Sequence, residues 1–142
     1  MLLVDARGVP LSIIVTAANH HDLTQLVPTL DAVVIARPAV AARTRQHLCA
    51  DAGFVGAAAK QEMLNRDYTP HVRPRGEERI QCAQGKRARR WVVEVAHSWF
   101  TRFRKLLVRY EKLHRSYLAL TMLAAAIISF RRVRAKVNII YG

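Results

Sequence analysis

Asp51 and Glu94 are the two side chains whose surroundings best suit them to chemistry. Asp51 follows His47-Leu48-Cys49-Ala50 and precedes Ala52-Gly53. An acid at the C-terminal end of a strand in an α/β protein projects into the crevice where such proteins hold ligands. A turn aspartate bonding its own backbone ahead of glycine would occupy the same place, and position alone leaves both roles open. Glu94 stands in Arg90-Trp91-Val92-Val93-Glu94, and Arg90, Glu94, His97 and Thr101 share one polar stripe at helical spacing. A guanidinium one turn away favours the ionised carboxylate that a hard metal ion requires. An ordinary surface Arg–Glu pair has the same spacing. Lys86, Arg87, Arg89, Arg90, Arg102, Arg104 and Lys105 flank Glu94 on both sides. A run so one-signed suits contact with phosphates, although a solvated charged face looks alike.

Other candidates carry less. His20, His21 and Asp22 are adjacent, so their side chains diverge, and Asp22 is expected to cap the helix that follows, with Gln25 completing a capping box. Trp91 and Trp99 read as core anchors. Cys49 and Cys82 are far apart and in no Cys-x-x-Cys pair, which predicts neither a zinc site nor a disulfide framework and fits a reducing compartment.

The elements that must position these residues follow from periodicity and punctuation. Leu2 to Asp5 reads as a strand running into a tight turn at Ala6-Arg7-Gly8, and Leu11 to Thr16 as a buried strand. The chain thus opens inside a hairpin, which implies a preceding element and a domain truncated at the N-terminus. A helix after Asp22 spaces Leu23, Leu26, Val27, Leu30 and Val34 along one face, with Pro28 in its first turns. A strand over His47–Ala50, a helix over Val55–Arg66 and a strand over Tyr68–Val72 come next. The polar stretch from Arg73 to about residue 88–90 has no apolar period and reads as a mobile basic loop. One long helix from about 89 to 107 carries Val92, Ala96, Trp99, Phe103 and Leu106 as its apolar stripe, and a buried helix over Tyr117–Arg132 closes the C-terminal helical region, about 89–134. The order is that of a single α/β unit over 1–142 with a mixed sheet and flanking helices.

Composition sets the partner class. The 142 residues carry 23 Lys plus Arg against 10 Asp plus Glu, a formal net charge of +13, so a polyanion is the default partner. Arginine dominates the cations, which suits bidentate phosphate contacts. Asp5 and Arg7 interrupt the first apolar stretch, so no signal-peptide pattern is visible. The longest apolar run, Leu118 to Phe130, falls short of the ~20 residues a membrane span takes.

At Arg90-x-x-x-Glu94, followed by His97-Ser98-Trp99, Arg102-Phe103-Arg104, Arg109 and Glu111, the chain resembles the C-terminal signature of DDE transposases of the insertion-sequence-five family. Four further blocks look like family blocks in family order. They are Asp5-x-x-Gly8-x-Pro10-Leu11, Ala18-Asn19-x-His21-Asp22, Cys49-Ala50-Asp51-x-Gly53 and His71-Val72-Arg73-Pro74-Arg75-Gly76. The resemblance implies a ribonuclease-H-like fold in which three carboxylates hold two divalent ions, Mg2+ or Mn2+. Asp51 matches the family's second acid and Glu94 its third; the first lies on an opening strand upstream of the hairpin, and Asp5 does not match it, because Asp5 occupies the hairpin turn that follows. Two metals are needed because both the attacking and the leaving oxygen of an in-line phosphoryl transfer must be clamped.

The chain departs from the family at Val95, where an arginine is usual, and at Ala96, where a threonine is usual. Arg87 and Thr101 replace the Tyr and Lys of a related signature. The implied activity is cleavage and strand transfer of double-stranded DNA at element ends, by a homodimer when intact, in the cytoplasm at the nucleoid and without a membrane. This truncated chain would be inactive alone. Two other functions compete with it: a non-catalytic remnant that binds DNA or RNA through charge, and a small basic RNA-binding structural protein.

Overall fold

The structure is a computed structural model describing residues 1–17, 20–39, 45–72, 74 and 91–140, with side chains described as far as residue 132. The opening hairpin pairs β1 (Leu2–Val4) antiparallel to β2 (Pro10–Ile13), with an irregularity between Leu3 and Val4. Asp5 builds its turn: one carboxylate oxygen accepts from the amides of Arg7 and Val9, both at 2.8 Å. Gly8 completes it with φ of 82°, a left-handed conformation that glycine adopts without penalty. The second strand is shorter than the Leu11–Thr16 expected. β1 offers only three residues to pair with, and the ladder closes where the Ile14 amide meets the Met1 carbonyl.

Helix α1 (Asp22–Asp31) is capped by His21, whose Nδ1 accepts from the Leu23 amide at 3.4 Å, so the expected Asp22 cap is displaced by one residue. Leu26 and Leu30 are buried as the spacing predicts, whereas Leu23 is exposed and Val34 lies beyond the helix on the surface. Ser12 reaches from β2 to the Thr29 carbonyl at 2.6 Å and ties the hairpin to α1.

The second half of the fold is a parallel pair, β3 (Gln46–Ala50) and β4 (Tyr68–Val72), joined through a 3-10 turn (Ala52–Phe54) and helix α2 (Ala57–Leu64). Asp67, at φ of 59°, turns the chain into β4, a left-handed position that aspartate tolerates better than most residues. Leu26, Leu30, Leu48, Ala59, Met63 and Tyr68 form the core between α1, α2 and these strands. Among the described residues β1–β2 and β3–β4 remain two separate two-stranded sheets.

The helix expected over 89–107 is two: α3 (Trp91–Thr101) and α4 (Arg104–Leu107). Phe103 between them is extended, with φ of −84° and ψ of 102°. The hydroxyls of Ser98 and Thr101 bond carbonyls three residues back, at 2.7 and 2.9 Å, which weakens the helical ladder just before the break. Helix α5 (His114–Ile140) is longer than expected and packs on β2, α3 and α4. It is not a buried helix. Thr121, Ala124 and Ile128 are buried along one face, while Met122, Leu123 and Phe130 are exposed, because the run is apolar all round but neighbours cover one side. No helix among the described residues is long and apolar enough to cross a membrane.

Candidate active site

Asp51 leaves the end of β3 and caps the 3-10 turn, its Oδ1 accepting from the Ala52 amide. The local backbone bond anticipated for a turn aspartate is therefore present, on an exposed carboxylate at a strand end. Arg37 holds the start of that strand in place. The Arg37 guanidinium donates to Gln46 Oε1 at 2.9 Å and to the Arg66 carbonyl at 2.7 Å, and it lies 3.9 Å over the Tyr68 ring. Arg66 in turn binds Asp31 at 2.7 Å and Glu62 at 2.6 Å, locking α1 to the end of α2. Its guanidinium holds the Asp31 carboxyl below the usual carboxylate range.

Glu94 is exposed on α3, which packs against β1 and α5. The inward stripe of that helix falls as the periodicity predicts: Ala96 is fully buried and Val92 and Trp99 are half-buried, as is Phe103 just past the helix end. Trp99 anchors it. Its ring lies beside Gly8 and under the Arg132 guanidinium at 3.8 Å. Trp91 is 57% exposed and is not the core anchor the sequence suggested.

Of the expected phosphate contacts, Arg102, Arg104 and Lys105 are exposed around the break between α3 and α4. Lys86, Arg87, Arg89 and Arg90, with the basic loop 73–88 apart from Pro74, lie outside the described residues. So does the Arg90 partner expected for Glu94. Among the described residues no three His, Cys, Asp or Glu side chains gather at metal-binding separation.

A cavity of about 390 Å3 opens between the hairpin ends and α3 to α5, and its polar lining includes His97, Thr101, Arg109 and Tyr117. Arg109 stacks on Tyr117 at 4.9 Å. Desolvation against this wall, with a smaller push from the Met1 ammonium, holds the His97 imidazole below its ordinary pKa. Glu94, one turn earlier on the same stripe, does not line this cavity.

Sequence reasoning missed His47 and His71, whose rings meet across β3 and β4 with Nδ1 and Nε2 2.7 Å apart. The alternation His47-Leu48-Cys49 hinted at an outward-facing pair of polar residues, but their meeting with His71 needed the strand register.

A family model for the transposase DDE domain matches residues 1–129. The chain belongs to that family. A protein of Burkholderia cepacia, named as a transposase for insertion sequence element IS402, is 32% identical over 131 residues, covering 84% of this chain. The chain spans 57% of that relative's length. No solved structure matches it.

Proposed function

We propose that the chain is the catalytic portion of a transposase of the insertion-sequence-five type, which cuts and joins double-stranded DNA at element ends. The observation that carries this reading is the family match over residues 1–129 with both matched acids exposed, Asp51 at a strand end and Glu94 on a helix face. Their oxygens are the donors a hard divalent ion takes, so Asp51 and Glu94 would hold Mg2+ or Mn2+. When bound, the metal supplies the charge that favours an in-line phosphoryl transfer. Arg102, Arg104 and Lys105, with Lys86, Arg87, Arg89 and Arg90, would contact phosphates and fix the DNA beside the acids.

The antiparallel hairpin and the parallel pair support a ribonuclease-H-like sheet, in which one further strand between β1 and β3 would join the two halves and bring the first acid. Asp5 cannot supply that acid, since its carboxylate is committed to the hairpin turn. The intact protein would act as a homodimer on nucleoid DNA in the cytoplasm.

The exposed cations Arg102, Arg104 and Lys105 suit a second reading for this chain by itself: it binds DNA or RNA without cutting. Plasmid nicking with MnCl2 separates the two. The chain alone should bind and not nick. Joined to a segment carrying the first acid, it should nick, provided Val95 and Ala96 are tolerated. Asp51→Asn or Glu94→Gln should then lower the rate by at least about a thousandfold, since residues acting as one unit fail together. Undiminished nicking in both variants would overturn the assignment of the acids.

A further inference from the structure

The parallel register of β3 and β4 sets His47 beside Thr69 and Cys49 beside His71. Leu48 and Tyr68 point into the core, so the alternate residues His47, Cys49 and His71 share the opposite face, and all three are exposed. The two imidazoles are in contact, with centroids 4.9 Å apart and planes tilted by 36°. Cys49 is a free thiol. We propose that this face binds a borderline transition-metal ion of the Zn2+ or Co2+ class, with His47 and His71 as the preformed ligands and the Cys49 thiolate as the third.

The geometry argues for it in two steps. A nitrogen-to-nitrogen contact of 2.7 Å is that of one ring donating a proton to the lone pair of the other. A metal ion takes the place of that shared proton. Two imidazole nitrogens at ~2.0–2.1 Å from a tetrahedral ion stand about 3.3 Å apart, so the exposed rings need to separate by only about half an ångström. Neighbouring strands lie ~4.8 Å apart, which puts the Cys49 thiol within a side-chain rotation of the His71 ring. That rotation is required, because the three groups do not stand at ligand separation as they are. Water completes the shell.

Nitrogen and sulfur donors select borderline ions over Mg2+ and Mn2+, which prefer oxygen. The site is therefore chemically distinct from the carboxylates, even though Asp51 follows Cys49 by two residues. It also stands independently of the transposase reading.

Cobalt absorption spectroscopy on the full chain tests it, with ZnCl2 as competitor. One equivalent of Co2+ should give tetrahedral visible bands and a near-ultraviolet thiolate-to-cobalt transition, both removed by Zn2+ and unaffected by excess Mg2+. His47→Gln and His71→Gln should each weaken binding at least about tenfold, since loss of even an outer-shell partner costs that much. Cys49→Ser should abolish the thiolate transition. His20→Gln, His114→Gln and Asp51→Asn should leave the spectrum intact, and circular dichroism checks that each exposed-residue variant is folded. A spectrum indifferent to His47→Gln and His71→Gln, or lost in Asp51→Asn, would overturn the site. Visible bands without the thiolate transition would remove Cys49 from it.

Discussion

A Cβ added at Gly8 would meet two Trp99 ring carbons at 3.1 Å, on a residue whose φ of 82° already disfavours any side chain. The hairpin turn therefore touches the helix that carries Glu94 through a residue chosen for having nothing there. Gly8→Ala should cost about 1–2 kcal/mol for the left-handed backbone and about 1–3 kcal/mol more for overpacking. Urea denaturation measures the sum, and an unchanged midpoint would mean the turn does not pack on Trp99. Asp31 offers a second check at this scale. Arg66 holds its carboxyl below the ordinary value, so the pair's contribution is present above the usual carboxylate pKa and lost as pH falls through the lower folded one. The group is largely exposed, and the effect on stability should be small. Carbon-detected titration should find Asp31 depressed and returned to normal by Arg66→Ala; no change in that variant would acquit Arg66. Residue chemistry was legible where it is local. Asp5 as a turn residue and the inward stripe of Val92, Ala96 and Trp99 could be read directly. The His47–His71 contact could not, because it depends on pairing between strands 24 positions apart in sequence.

Helices and strands were legible by existence more than by extent. The Tyr68–Val72 strand falls where the pattern puts it, while the helix expected over 89–107 breaks at Phe103, just after the Ser98 and Thr101 hydroxyls compete for backbone carbonyls. That break has a consequence for nucleic acid. It leaves Arg102, Arg104 and Lys105 exposed on either side of Phe103. Binding to duplex DNA should be insensitive to sequence and fall steeply with salt, with a slope of about −0.9 per phosphate neutralised. Replacing these three residues with alanine should flatten the slope by up to about 3 units if each contacts a phosphate. Fluorescence anisotropy across a salt series reads it. An identical slope in the triple variant would place the DNA elsewhere on the protein.

At the scale of the whole molecule, element order was legible and sheet pairing was not. Local periodicity announces a strand, but which strand it joins is decided by contacts far away in sequence. The outcome is uneven. One buried cluster, from Leu26 to Tyr68, holds α1, α2, β3 and β4 together, while β1–β2 meets that cluster only at its edge, through Leu3 and the Ser12 to Thr29 bond, and otherwise packs on α3 through Trp99 and on α5. Two-stranded sheets are marginal by themselves and gain stability from a third strand or a packed helix. Exposed Met122, Leu123 and Phe130 add a stretch of α5 whose apolar surface contributes nothing while uncovered. The core half should therefore outlast the hairpin. Hydrogen exchange of this chain should leave amides of α1, α2, β3 and β4 protected longest, with β1 and β2 opening at lower free energy. If the proposed strand between β1 and β3 is correct, a peptide carrying it should pair with both edges, raise the melting temperature and bring hairpin protection up to that of the core. A single sharp transition from the chain alone, with hairpin amides as slow as those of β3, would show that the two sheets are already one cooperative unit and that no joining strand is needed.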